Sequence, residues 1–276
     1  MMNFLNALRS AWGHKDTLLC VGLDPDLNKI PKHIRKMDEP LLEFNKAIVD
    51  STSDLVCAYK PQIAFYSALK AEKQLEATID YIHARYPDIP VILDAKRGDI
   101  ASTASMYAKE VFERYHADAV TVNPYMGGDT LDPFLKHKDK GIIILCRTSN
   151  PCAADIQDLE SNGKKIYGII AHKASEEWNY NGNVLLVVGA TYPRELKEIR
   201  SITGDMPFLV PGIGAQGGDI EETVRNGMDH NGTGMIINSS RSIIYASPEK
   251  DFAVAARNAA MNLRNKINLY RTDNTA

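Results

Sequence analysis

Short apolar runs rich in β-branched residues recur along the chain at Leu18–Leu23, Leu55–Tyr59, Pro90–Leu93, Ala119–Val122, Ile142–Leu145, Val184–Val188, Phe208–Val210 and Met235–Ile237. They do not alternate strictly between apolar and polar positions, which is how parallel strands buried on both faces read. Helical spacing of apolar residues fills the intervals, as in Pro40–Ser53, Ala64–Arg85, Thr103–Tyr115, Lys165–Glu177, Pro193–Ile202 and Gly218–Asn226. Eight such runs in 276 residues leave about 35 residues per unit, a length suited to one strand and its crossover helix. The pattern predicts an α/β fold, a (β/α)8 TIM barrel. A doubly wound open sheet is the alternative, weakened because no GxGxxG follows the first run. No Pro/Ser/Gly linker interrupts the pattern, so residues 1–276 read as a single domain. The opening segment MMNFLNALRSAWGHKD is amphipathic and reads as a helix lying against the body. The longest irregular stretch, Arg147–Gly163, follows the fifth run, which in a barrel places it on the C-terminal face. Arg271–Ala276 reads as a polar, frayed tail.

Composition narrows the function classes. Thirty-two Lys and Arg against 35 Asp and Glu give a net charge of −3, which argues against general nucleic-acid binding or electrostatic attachment to a membrane. A local basic pocket for one phosphate remains compatible with that balance. No apolar run approaches the roughly 18 residues of a membrane span, and the N-terminus lacks a secretory signal core. The four cysteines, Cys20, Cys57, Cys146 and Cys152, form no CxxC pair, and three of them sit inside apolar runs. They read as free thiols, mostly buried, of a cytoplasmic protein. Seven histidines make no HExxH or comparable spacing, so no metal site is expected.

In a barrel, polar residues at strand C-termini converge on one pocket. Seven of the eight runs end in polar or ionisable groups. The densest set is Asp94, Lys96 and Asp99, with Lys60 one strand earlier. Asp94 and Lys96 are two residues apart, so on a regular strand both point to the same side. In an alternating Lys–Asp–Lys–Asp array, each carboxylate favours the charged form of its lysine neighbours. Such an array offers a fixed cation and a proton; its structural counterpart is a salt-bridged ring closing the barrel mouth. Gly212, Gly214, Gly217 and Gly218 follow the seventh run, and Arg241 follows the eighth. Glycines let backbone amides approach an anion, and barrels often hold phosphate between the loops after strands seven and eight. Arg241 matches that role because its fork grips two phosphate oxygens. Gly127, Gly128, Gly182 and Gly232 read as turn glycines, Trp178, Tyr180 and Tyr192 as packing, and Tyr125 as a candidate for the pocket wall.

The segment LDAKRGDIAST at 93–103 resembles the signature of the orotidine 5′-phosphate decarboxylase family, in its longer bacterial-type branch. VGLDPD, AYKPQIAFY, TVNPYMGGD, RTSNP, VVGATYP, VPGIGAQGGD and SSRSIIYAS follow the same family in order, over nearly the whole chain. The chain departs from much of that branch at Cys152, where glycine is usual. The resemblance implies a homodimeric barrel that converts orotidine 5′-monophosphate to uridine 5′-monophosphate and CO2 in pyrimidine synthesis, with no cofactor. It implies that Lys60, Asp94 and Lys96 form the charged array in one subunit. Asp99 would complete that array from the partner subunit, and Thr103 would reach across to the ribose. Asp24 would bind a ribose hydroxyl and Ser149 the pyrimidine. Gln216 and Arg241 would hold the phosphate, with the loop from Pro211 to Gly218 folding over the ligand.

The chemistry poses one physical problem. Loss of CO2 from C6 leaves an electron pair in the ring plane, which the π-system delocalises poorly. A preorganised cation at C6, shielded from water, answers it. Lys96 is the candidate, stabilising the carbanion and then delivering the proton. A related phosphosugar decarboxylase or aldolase would keep the fold and change the reaction; sensitivity to a chelator or borohydride trapping of an imine would reveal it. A non-catalytic nucleotide-binding barrel would have no use for a lysine flanked by two aspartates.

Overall fold

The computed structural model describes residues 3–213 and 218–272. Its centre is a barrel of eight parallel strands: β1 (Leu19–Leu23), β2 (Ala58–Pro61), β3 (Ile92–Arg97), β4 (Ala119–Val122), β5 (Gly141–Arg147), β6 (Val184–Val188), β7 (Phe208–Pro211) and β8 (Met235–Ser239). Hydrogen-bonded neighbours run β2-β1-β8-β7-β6-β5-β4-β3. Parallel bridges Tyr59↔Val91 and Gln62↔Asp94 join β2 to β3 and complete the circuit. The TIM barrel expected from the apolar runs is therefore present.

The strands hold because both of their faces are covered. All residues of β1, β2, β4, β6 and β8 are buried, by the neighbouring interior on one side and the helices on the other. Each fully buried Leu, Ile or Val stabilises the fold by about 1.5–3 kcal/mol relative to exposure. The strands extend past the predicted ends at their C-terminal side, to Pro61, Arg97, Arg147, Pro211 and Ser239. A charged side chain aimed into the barrel mouth leaves the backbone ladder intact, so the strand outlasts the apolar run. The second run starts too early as read: Leu55–Cys57 is buried but precedes the strand.

The helices differ from expectation where the backbone turns. Ala64–Arg85 divides into Ala64–Ser67 and Glu72–Arg85 around Lys70, whose φ is +55°. Thr103–Tyr115 becomes an α-helix, Ala101–Lys109, continuing as a π-turn over Glu110–Arg114. The region Arg147–Gly163 carries two short helical turns and a small antiparallel hairpin, Glu160–Ser161 with Lys164–Lys165. Phe252–Thr272 is a further long helix, with Phe252, Ala256, Ala260 and Ile267 on its buried side. It includes Arg271, read as tail; the Arg271 guanidinium donates to Gly232 O at 2.8 Å and Asp16 Oδ1 at 2.9 Å.

The N-terminal helix Phe4–His14 starts at Asn3, whose Oδ1 accepts from Leu5 N at 2.9 Å, a standard cap. Its apolar face plugs the N-terminal end of the barrel. Phe4 lies so tightly on Gly141, the first residue of β5, that any side chain there would overlap its ring. At the same end Arg200 donates to the carbonyls of Gly204, Met206, Gly227 and Gly234 and stacks 3.8 Å from the Phe208 ring centre. No helix among the described residues is long and apolar enough to cross a membrane.

Candidate active site

The C-terminal ends of the strands surround a cavity of about 460 Å³. Its charged floor is built by β2 and β3. Lys60 Nζ lies 3.0 Å from Asp94 Oδ2, and Lys96 Nζ lies 2.7 Å from Asp94 Oδ1. The Asp94 and Lys60 side chains are buried, while Lys96 remains 47% exposed towards the opening. Burial alone would raise the Asp94 pKa, but Lys60 and Lys96 outweigh it and hold the carboxyl well below the usual carboxylate range. Burial likewise opposes charge on Lys60, and Asp94 and Asp24 override it, lifting the ammonium above the usual lysine range.

Strand alternation does not by itself bring Asp94 and Lys96 together. The β3–β4 register shifts between Leu93 and Arg97, and Lys96 has φ +45°, in the left-handed region. The bulge re-aims the lysine, as bulges beside active sites do. Apolar walls come from Leu145, Val187 and Leu209, and the polar rim from Thr148, Ser149 and Gln157. Ser149 sits against Gly189 at the end of β6, where a Cβ would come within 2.8 Å of the serine backbone. Gln157 holds the loop by accepting from Thr148 N at 2.8 Å. The buried Arg147 stacks 3.9 Å from the Tyr192 ring centre and pairs with Asp158 at 3.1 Å.

Pro211 also borders a second, smaller cavity of about 120 Å³, lined by Asp24, Gly212, Ser240 and Arg241. The segment carrying Asp24 is pinned from two sides: Tyr66 donates its hydroxyl to Leu23 O at 3.0 Å, and Tyr245 donates to Asp24 O at 2.9 Å. Burial pushes the Tyr245 phenol up to about 12. Asp24 Oδ1 is buried without a hydrogen-bond partner among the described residues. An unsatisfied acceptor of that kind costs about 1–3 kcal/mol, so a ligand donor there would be favoured.

The sequence-predicted residues thus divide. Lys60, Asp94, Lys96, Ser149 and Pro211 share the main cavity, and Asp24, Pro211 and Arg241 share the adjoining one. Gln216 lies outside the described residues. Asp99 lines neither cavity; its Oδ1 accepts from Ile100 N at 2.8 Å. Thr103 borders a separate outer groove with Met106 and Tyr107, beside the exposed Ile100. Tyr125 is 83% exposed and away from the cavity wall. Trp178 does pack, against Gly128, whereas Tyr180 is exposed. Cys20, Cys57 and Cys146 are buried free thiols, and Cys152 is exposed. Sequence reasoning missed Thr121 and Gln157. Thr121 carries a usable signal, a lone polar residue within an apolar strand; Gln157 has none.

Residues 17–256 match the family described as Orotidine 5′-phosphate decarboxylase / HUMPS family. The chain is 59% identical over 270 residues to the orotidine 5′-phosphate decarboxylase of Dechloromonas aromatica (strain RCB), covering 98% of this chain and 100% of that protein. Among solved structures, it superposes on Leishmania donovani OMP decarboxylase with a TM-score of 0.85 at 39% identity, covering 98% of this chain and 99% of that one. It also superposes on Leishmania donovani UMP synthase with a TM-score of 0.88 at 39% identity, covering 98% of this chain but spanning 57% of that longer one. By both sequence and fold, the chain belongs to the orotidine 5′-phosphate decarboxylase / HUMPS family.

Proposed function

We propose that this protein decarboxylates orotidine 5′-monophosphate to uridine 5′-monophosphate and CO2, in pyrimidine nucleotide synthesis in the cytoplasm, as one catalytic domain. The observation that carries the reading is Asp94 held between Lys60 and Lys96 on the floor of a cavity with apolar walls, in a chain of this family.

In this reading the pyrimidine lies in the main cavity against Ser149, with its C6 carboxylate facing Asp94. The Lys96 ammonium stabilises the carbanion left in the ring plane as CO2 departs, then transfers a proton to C6. Asp94 orients that ammonium, and Lys60 keeps Asp94 ionised. The smaller cavity takes the rest of the nucleotide, with Asp24 accepting from a ribose hydroxyl and Arg241, with Gln216, gripping the phosphate. The phosphate is remote from the breaking bond, so its binding energy helps by fixing the ring over Lys96.

Asp99 and Thr103 act in the site of a second subunit. Their position outside their own cavity supports this, as do the exposed Ile100 and Met106 beside them, an apolar patch that a homodimer would cover. The test is direct. Purified protein mixed with orotidine 5′-monophosphate should consume its absorbance and release one CO2 per nucleotide; an unchanged spectrum over hours would defeat the proposal.

A further inference from the structure

We propose that Thr121 is a positioning residue for Lys96, setting both its backbone conformation and the carboxylate that receives its ammonium. The inference rests on the reading of the site given above.

The geometry is specific. Leu93 pairs with Val120 and Arg97 with Val122, so Thr121 alone opposes the three residues Asp94, Ala95 and Lys96. A bulge of that size leaves amides without strand partners. Thr121 Oγ1 accepts from Ala95 N at 3.1 Å and from Lys96 N at 2.9 Å. Its own proton goes to Asp94 Oδ1 at 2.8 Å. That is the same oxygen that meets Lys96 Nζ at 2.7 Å. A hydroxyl has one donor and two acceptor sites, and all three are used. Thr121 is fully buried at the wall of the cavity, so its hydroxyl makes these three bonds away from bulk solvent.

The consequence follows from the backbone. A lysine at φ +45° is uphill of the extended form by about 1–2 kcal/mol. Two hydrogen bonds from the bulge amides to one hydroxyl offset that strain. Remove the hydroxyl and the amides are orphaned, Asp94 loses a donor, and Lys96 relaxes towards an extended backbone. Its ammonium then leaves the place where the ring anion forms. Thr121 also lines the cavity, but the ribose and phosphate contacts proposed above come from other residues, so most of the nucleotide's binding is spared.

The deciding comparison is Thr121→Val, which keeps shape and removes the hydroxyl, against Thr121→Ser, which keeps the hydroxyl. For Thr121→Val, kcat on orotidine 5′-monophosphate should fall about 100-fold, the usual effect of misplacing a reacting group by an ångström. KM and the affinity for uridine 5′-monophosphate should hold. Thr121→Ser should recover most of kcat. The crystal structure of Thr121→Val should show Lys96 at negative φ with its contact to Asp94 broken. Equal losses in the valine and serine variants, or a valine variant with Lys96 unmoved, would overturn the inference. Should the valine variant not fold, Thr121→Ala against Thr121→Ser poses the same contrast. An inactive wild type would sink the proposed function instead, and the position of Lys96 in the valine variant would still judge Thr121.

Discussion

The two ends of the barrel are built from the same strands and treat polar groups in opposite ways. At the N-terminal end, the Phe4 ring fills the space over Gly141, and Arg200 distributes its guanidinium among four carbonyls. Burial lowers the Arg200 pKa to about 10, yet its donors are matched and its face is stacked. At the C-terminal end, Asp24 Oδ1 has no partner among the described residues, Lys96 sits in the left-handed region, and two ammonium groups crowd one carboxylate. The base is closed by packing and by the matched donors of Arg200, though Trp12 Nε1 and Asn183 Oδ1 there also lack partners among the described residues; the mouth adds backbone strain and paired charges beside a ligand cavity. A scaffold with a settled base can carry a strained mouth.

Four experiments would break or sharpen this contrast. The largest effect is expected at the mouth: Lys96→Ala should reduce kcat/KM by about 10⁴-fold or more while melting near the wild-type temperature. Near-normal turnover in that variant would remove the contrast altogether. At the base, Arg200→Ala should lose about 3 kcal/mol of stability, because carbonyls are orphaned and a cavity opens, with kcat per folded molecule unchanged. Denaturant melts read alongside active-site titration check this, and a kcat loss larger than the folded fraction would contradict it. A third experiment asks whether the mouth belongs to one chain. Inactive Asp99→Asn and inactive Lys96→Ala, mixed under conditions of subunit exchange, should regain about a quarter of wild-type activity, since half the dimers are mixed and each has one complete site. No recovery after verified exchange would place Asp99 elsewhere.

The smallest effect is in the pH dependence of folding. Asp94 has a folded pKa below its unfolded value near 4, so its contribution is present above that value and fades as pH falls through the folded pKa. Lys60 has a raised pKa, so its contribution is present below about 10.5 and fades as pH rises further. Chemical melts should therefore show a plateau from this pair across neutral pH, and Asp94→Asn should flatten the acid limb. An acid limb identical in both proteins would argue against the pair's coupling.

Much of the barrel was readable because its strands are apolar on both faces: Ile142–Ile144 and Val184–Val188 fit few other settings. The charged array was readable because strand ends converge by topology. What escaped depends on space rather than order along the chain. The bulge at Asp94–Lys96 is a matter of register against Thr121, and alternation alone gave a right pairing by the wrong geometry. The long helix Phe252–Thr272 shows its face at Phe252, Ala256, Ala260 and Ile267, yet two of its turns are marked on that face by nothing larger than alanine. The ends of β2, β3 and β5 were hidden because hydropathy falls at the first charge, whereas hydrogen bonding does not.

The left-handed backbone at position 96 also bears on any attempt to improve the protein in the laboratory. Glycine meets no steric penalty in that conformation, whereas the lysine keeps it for the sake of its ammonium, which both pairs with the buried Asp94 and faces the cavity. A library selected for heat resistance without a turnover screen would therefore weigh the relaxed backbone of Lys96→Gly against its lost pairing with Asp94, and would be blind to the loss of chemistry.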